Sequence, residues 1–293
     1  MLGLWRKLLE PRMWERVYRE RLCDSLAANI GSVAAVASGD FRLREKFDMI
    51  LRPHHAYSLL RAADTAVAEG VSELLVVEFG VASGTGLMNL IDIGRTVEKE
   101  TGVSFYYVGF DTGEGMPIAE SYKDHPELYK RGDYQMPNRA ELLSALEGCG
   151  ELILGDLADT LPQFLCENKR VLGFASFDVD YWSSTSAALQ LLLIDKSFLM
   201  PSTLIYFDDI VMPTHSQFAG QLLAIDDFNA KHTHRKIAPV RGLKESRVFR
   251  RPHWHSQVYY LHAFDHEARS PQNQEEGKGR VFFNPYTNTK SKS

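Results

Sequence analysis

From residue 74 to residue 207 the chain alternates apolar runs of strand length with stretches of helical period, and few folds accommodate that pattern. The strand candidates are Leu74–Phe79, Phe105–Asp111, Glu151–Leu154, Val171–Asp178 and Thr203–Phe207. Between them, Leu87–Glu100, Arg139–Leu146, Asp159–Glu167 and Ser184–Leu193 carry helical patterns. Units of this kind build a parallel sheet covered on both faces, an α/β architecture. Further helices are expected over His54–Glu69 and Phe218–Lys231. The runs Arg247–Arg251 and Gln257–Phe264 flank Pro252–His255 in the manner of a hairpin. Thr112–Pro137, rich in Gly, Pro and charge, reads as a long loop or lid.

The first strand leads directly into a glycine-rich turn, Glu78-Phe-Gly-Val-Ala-Ser-Gly-Thr-Gly86. Gly80, Gly84 and Gly86 let a ligand approach bare backbone, and the following helix offers free N–H groups at its start. Ser83 lies in the same turn. Glu78 argues against a phosphate as the main guest, because the two would repel. It suits a ligand with an ammonium group beside a carboxylate, as in S-adenosylmethionine (SAM). A tight strand–helix turn with no ligand gives the same glycine pattern. A nicotinamide-dependent oxidoreductase is a rival reading, but its usual G-x-G-x-x-G spacing is not the one present.

Nearly every candidate strand ends in a carboxylate: Glu78, Asp111, Asp178 and Asp208, with Asp156 just past the third. Ligands of open α/β sheets sit beyond these ends. Asp111 is placed to accept both ribose hydroxyls of a nucleoside, or to cap a helix. Asp156 could accept from an adenine amino group or serve as a cap. Asp178, Asp208 and Asp209 are expected to converge as oxygen ligands of Mg²⁺ or a similar divalent cation; otherwise one binds and the others cap helices. So many carboxylates on one rim call for a positive partner. Asp178, Asp180 and His215 are the candidate bases, though His215 also reads as a plain loop histidine. Tyr181 and Trp182 either wall the pocket or belong to the core. The pairs His232/His234 and His253/His255 read as surface residues, because nothing completes a zinc site around them.

The N-terminal region mixes Trp5, Leu8, Leu9, Trp14, Val17 and Leu22 with basic residues. That composition suits a cap on the core or a contact between subunits better than a membrane-surface helix, because glutamates dilute the positive face. A homo-oligomer through these helices is one expectation. Three scattered cysteines and no apolar run of bilayer length point to a reducing, cytoplasmic setting. A net charge of −5 gives no support for nucleic-acid binding.

Five motifs in order resemble the macrocin O-methyltransferase family: Val77-Glu-Phe-Gly-Val-Ala-Ser-Gly84, Gly109-Phe-Asp-Thr-Gly-Glu-Gly-Met-Pro117, Gly155-Asp-Leu-Ala-Asp-Thr-Leu-Pro162, Asp178-Val-Asp-Tyr-Trp-Ser-Ser-Thr185, and Asp208-Asp-Ile with Ala224-Ile-Asp-Asp-Phe228. The resemblance covers roughly residues 74–230. Val179 stands where the family has glycine, Ser183 where it has glutamate, and Met200-Pro-Ser-Thr lacks the usual Gly-Gly. The resemblance implies a Rossmann-like doubly wound sheet of five parallel strands plus a C-terminal antiparallel pair, with an N-terminal helical cap. With the N-terminal and C-terminal composition read alongside it, the expected division is a helical cap over 1–70, a methyltransferase domain over 71–266 and a polar, mobile tail over 267–293. The implied function is SAM-dependent, Mg²⁺-assisted O-methylation of a small hydroxylated acceptor such as a sugar. A catalytically silent partner subunit of the same fold is the remaining alternative.

Overall fold

A computed structural model of the chain describes residues 17–271. Seven strands form one sheet: β1 (Glu73–Phe79), β2 (Ser104–Asp111), β3 (Gly150–Leu154), β4 (Val171–Phe177), β5 (Leu199–Phe207), β6 (Arg235–Pro239) and β7 (Val258–Ala263). Their order is β3-β2-β1-β4-β5-β7-β6. The first five are parallel, and β7 runs antiparallel between β5 and β6. Strand order reverses between β1 and β4, and the crevice at such a reversal is where open α/β sheets bind ligands.

Nine α-helices accompany the sheet: α1 (Leu26–Ser38), α2 (Phe41–Lys46), α3 (Pro53–Glu69), α4 (Thr85–Thr101), α5 (Arg139–Leu146), α6 (Leu157–Glu167), α7 (Trp182–Ala188), α8 (Gly220–Lys231) and α9 (Leu243–Ser246), among the described residues. The two-residue period of the strands sorts the core into two halves. Leu74 and Val76 pack with Leu59, Leu60 and Ala63 of α3 and Leu87 and Leu90 of α4. Leu75, Val77 and Phe79 pack on the other face with Leu161 of α6, Ala188 of α7 and Ile225 of α8. Glu78 shares parity with Val76, so it points to the α3–α4 face. The α3 layer packs directly on the sheet.

The antiparallel pair is present, but its outer strand is not Arg247–Arg251. That strand is β6, which pairs with β7 from Arg235↔Ala263 to Pro239↔Tyr259. Arg247 instead turns inward, where its guanidinium bonds the Glu45 and Asp48 carboxylates, and Phe249 is fully buried. Burial of alternate residues, Arg247 against α2 and Phe249 beneath Arg21, produces the same sequence pattern as a strand. β5 also starts earlier than expected, at Leu199.

Most of the N-terminal basic segment, residues 1–16, lies outside the described residues, as does the tail from residue 272. Arg21 donates to the backbone carbonyls of Phe47 and Asp48, and Glu20 meets His253 at 2.8 Å. At the other end, Arg269 donates to the carbonyl of Pro201 at 2.9 Å. No helix among the described residues is long and apolar enough to cross a membrane.

Candidate active site

The glycine turn brings two strand ends into backbone contact. Gly80 has φ of 85°, and a Cβ there would lie 1.7 Å from the Asp178 carbonyl oxygen. Only glycine fits. A Cβ on Gly86 would lie 2.0 Å from Glu78 Oε1, so the first turn of α4 closes directly over that carboxyl. Glu78 is 2% exposed, and its Oε2 has no hydrogen-bond partner among the described residues. Burial, and then the charge of Asp178, raise its proton affinity well above that of an ordinary carboxylate; Arg52 and the Leu87 N–H pull the other way. A buried carboxyl with an open oxygen is a receptor for a cation or donor.

Asp111 fastens two loops. Its Oδ2 accepts from the Ala82 N–H at 2.8 Å and its Oδ1 from the Gly113 N–H at 2.6 Å. Each oxygen keeps a lone pair for a further donor. Asp156 caps α6, accepting from the Ala158 N–H at 2.8 Å, so the capping alternative applies. Glu78, Gly80, Ser83, Gly86, Asp111 and Asp156 all line one cavity of about 750 Å³. Gly84 does not: it is the left-handed N-cap of α4.

Asp178, Asp180, Asp208 and Asp209 line the same cavity. Sheet register explains their convergence, because the ladder continues past the strands. Asp178 N–H donates to Phe79 O at 2.9 Å, and Asp208 N–H donates to Phe177 O at 3.1 Å. One oxygen each from Asp178, Asp208 and Asp209 falls within 4.8 Å of the others. Burial, then the Asp208 and Asp180 charges, push the Asp178 carboxyl up to about 8. Asp209 and Asp180 are also raised, burial again leading. An all-oxygen, electron-rich donor set facing the cavity fits a hard divalent cation that retains waters, and such an ion would relieve the repulsion.

No protein-family model and no curated protein matches the chain. Among solved structures, the chain is similar to CalS11, a calicheamicin methyltransferase, at 23% identity and a TM-score of 0.52, covering 86% of this chain and 93% of that one. It is also similar to the O-methyltransferase NovP at 17% identity and a TM-score of 0.48, covering 71% and 78%. The fold is that of a class I methyltransferase. The cavity lies at the β1–β4 reversal beside the glycine turn, where open α/β sheets bind ligands.

Several supports of the aspartates carry no sequence signal of their own. The Tyr206 hydroxyl donates to Asp208 Oδ1 at 2.6 Å, and His54 stacks on the Tyr206 ring at 4.1 Å. Gln221, fully buried on α8, accepts from the Asp209 N–H at 3.0 Å and donates to Phe177 O at 3.0 Å. The 112–137 segment is pinned by Asp124, whose Oδ1 accepts from the Ser183 N–H at the start of α7 at 2.9 Å. Trp182 lines the cavity, whereas Tyr181 is core, its hydroxyl donating to Pro117 O at 3.3 Å.

His215 does not line the cavity. Its ring stacks on His125 at 5.3 Å, close enough to Asp180 for their charges to interact, and burial and then His125 lower its proton affinity. His255 is no surface residue: it is buried beside Trp254, and burial drops its pKa to about 4. Arg52 is the one basic residue on the cavity wall among the described residues, and its charge acts on Glu78 and Asp178. Sequence reasoning did not single it out, since an isolated Arg-Pro step has no distinguishing pattern.

Proposed function

We propose that this protein transfers a methyl group from SAM to a hydroxyl of a small polyhydroxylated acceptor, such as a sugar, with help from Mg²⁺ or a similar divalent cation. The reading follows the resemblance to macrocin-type O-methyltransferases. The observation that carries it is the placement of two unlike sets of acids in one cavity. Glu78 and Asp111 suit an amino-acid end and a ribose; Asp178, Asp208 and Asp209 suit a hard cation beside them. The fold likeness to a calicheamicin methyltransferase agrees with such chemistry.

SAM supplies a methyl on a sulfonium leaving group, and a divalent ion beside the acceptor supplies charge that acidifies a hydroxyl. The chain's own residues align and deprotonate. Asp180 lines the wall beside the trio and takes the hydroxyl proton, while the methyl passes from sulfur to oxygen. The products are an ether and S-adenosylhomocysteine (SAH). Of the two other candidates, Asp178 belongs to the cation set and His215 is off the wall. The acceptor is a small molecule met in the cytoplasm, and the N-terminal helices are a cap or subunit contact.

Calorimetry with SAH and transfer assays on hydroxylated acceptors, each with and without Mg²⁺, test the reading. Wild type should bind SAH and turn over only with the metal. Asp208→Asn should keep SAH affinity and lose most activity, and EDTA should mimic it. Full turnover in EDTA would remove the metal from the reading, and failure to bind SAH would sink all of it.

A further inference from the structure

Arg52 stands out for its backbone, its surroundings and its lack of partners. It lies immediately before Pro53 at the N-cap of α3, with φ 55° and ψ 69° and no side-chain cap bond. Left-handed backbone is costly for a residue with a Cβ, and proline narrows its predecessor's choices further. Glycine or asparagine would make the same turn more cheaply. The strained turn aims the arginine side chain at the cavity wall.

Its charge acts on both Glu78 and Asp178. Yet its guanidinium makes no hydrogen bond, and no ion pair within 4.0 Å, among the described residues. A mere counterion for the acids would close onto one of them, as Arg247 closes onto Glu45 and Asp48. Arg52 keeps its donors open on the same cavity wall as a buried Glu78 whose Oε2 is also open. A cation and an anion held near one another and left unpaired form a receptor for a ligand that carries both charges on adjacent atoms. An α-amino acid does this: its ammonium matches a carboxylate, and its carboxylate matches the two-pronged guanidinium.

We propose that Arg52 binds the carboxylate of the donor's amino-acid end while Glu78 takes the ammonium, so that the two together select a zwitterion. The inference rests on the SAM reading above and extends it to a residue outside the glycine turn. It makes α3 part of the cofactor site, and it explains why a strained position holds arginine.

Calorimetry with three probes tests it: SAH, decarboxylated SAM, which keeps the amine only, and 5′-methylthioadenosine, which has neither charge. Arg52→Gln should weaken SAH binding about 10- to 100-fold, the loss of a charged hydrogen-bonded pair, and leave the other two within about twofold. Arg52→Lys should fall between. Arg52→Asn, suited to left-handed backbone, should melt no lower than wild type and show the same selective loss. Unchanged SAH affinity in Arg52→Gln would overturn the proposal and leave the carboxylate to the first N–H groups of α4. Equal losses for all three probes, or a lowered melting temperature in Arg52→Asn, would make Arg52 structural. A change in Mg²⁺ affinity alone would make it a counterion. If wild type bound none of the probes, the donor reading itself would fall with it.

Discussion

Asp178 carries a pH signature. Its carboxyl is pushed up to about 8 by burial and by the Asp208 and Asp180 charges, against about 3.9 in an unfolded chain. Between those values the folded state holds a proton that the unfolded state releases. Stability from this group is therefore complete below about pH 3.9 and lost as pH rises through about 8. Metal-free protein should melt at lower temperature near pH 9 than near pH 5, and Asp178→Asn or millimolar Mg²⁺ should flatten that slope. A level metal-free profile would contradict the crowding of charge described here. Asp111 makes a second case. Asp111→Ala removes the proposed ribose acceptor and also orphans the Ala82 and Gly113 N–H groups. SAH affinity should fall by about 1.5–3 kcal/mol, with a smaller loss of stability, by calorimetry and thermal melts. The acids of this site were legible in the sequence because each follows an apolar strand run, and strand ends are where such sheets bind. Arg52, Tyr206 and Gln221 were not legible. Their roles come from packing across elements distant in sequence, and a lone arginine, tyrosine or glutamine has no local pattern.

At the scale of elements, the link between α2 and the segment after α9 is a buried charge network. Arg247 lies among Glu45 and Asp48, with side chains 5%, 2% and 1% exposed. Arg247→Met keeps bulk but strands two carboxylates away from water. It should cost about 3–5 kcal/mol in urea unfolding, far more than a surface pair; a loss under about 1 kcal/mol would mean the acids take up protons or water instead. The same network explains where strand reading failed. Arg247-Val-Phe-Arg-Arg251 alternates because Arg247 and Phe249 are buried, not because it joins the sheet. β6 escaped notice because Arg235-Lys-Ile-Ala-Pro239 is polar and ends in proline, as an edge strand can be. The parallel strands were readable within a residue or two at most ends, since two covered faces force continuous apolar runs.

For the whole molecule, the N-terminal end of the described chain is clasped to the segment after α9. Arg21 bonds the Phe47 and Asp48 carbonyls and lies over the Phe249 ring at 4.9 Å, and Glu20 meets His253. Deleting residues 1–22 should lower stability by about 1–3 kcal/mol, read from denaturant midpoints, and full-length protein should not bind anionic vesicles. Salt-sensitive vesicle binding would instead assign the N-terminal basic residues to a membrane surface. The contact between Gly80 and the Asp178 carbonyl reaches furthest. Because no side chain can stand between these two backbones, the glycine turn and the end of β4 cannot be exchanged or drift separately: they travel as a unit. Anyone retargeting this scaffold to a new acceptor would have to leave that seam alone and rebuild the 112–137 segment, whose attachment at Asp124 is a side-chain clasp that can be remade.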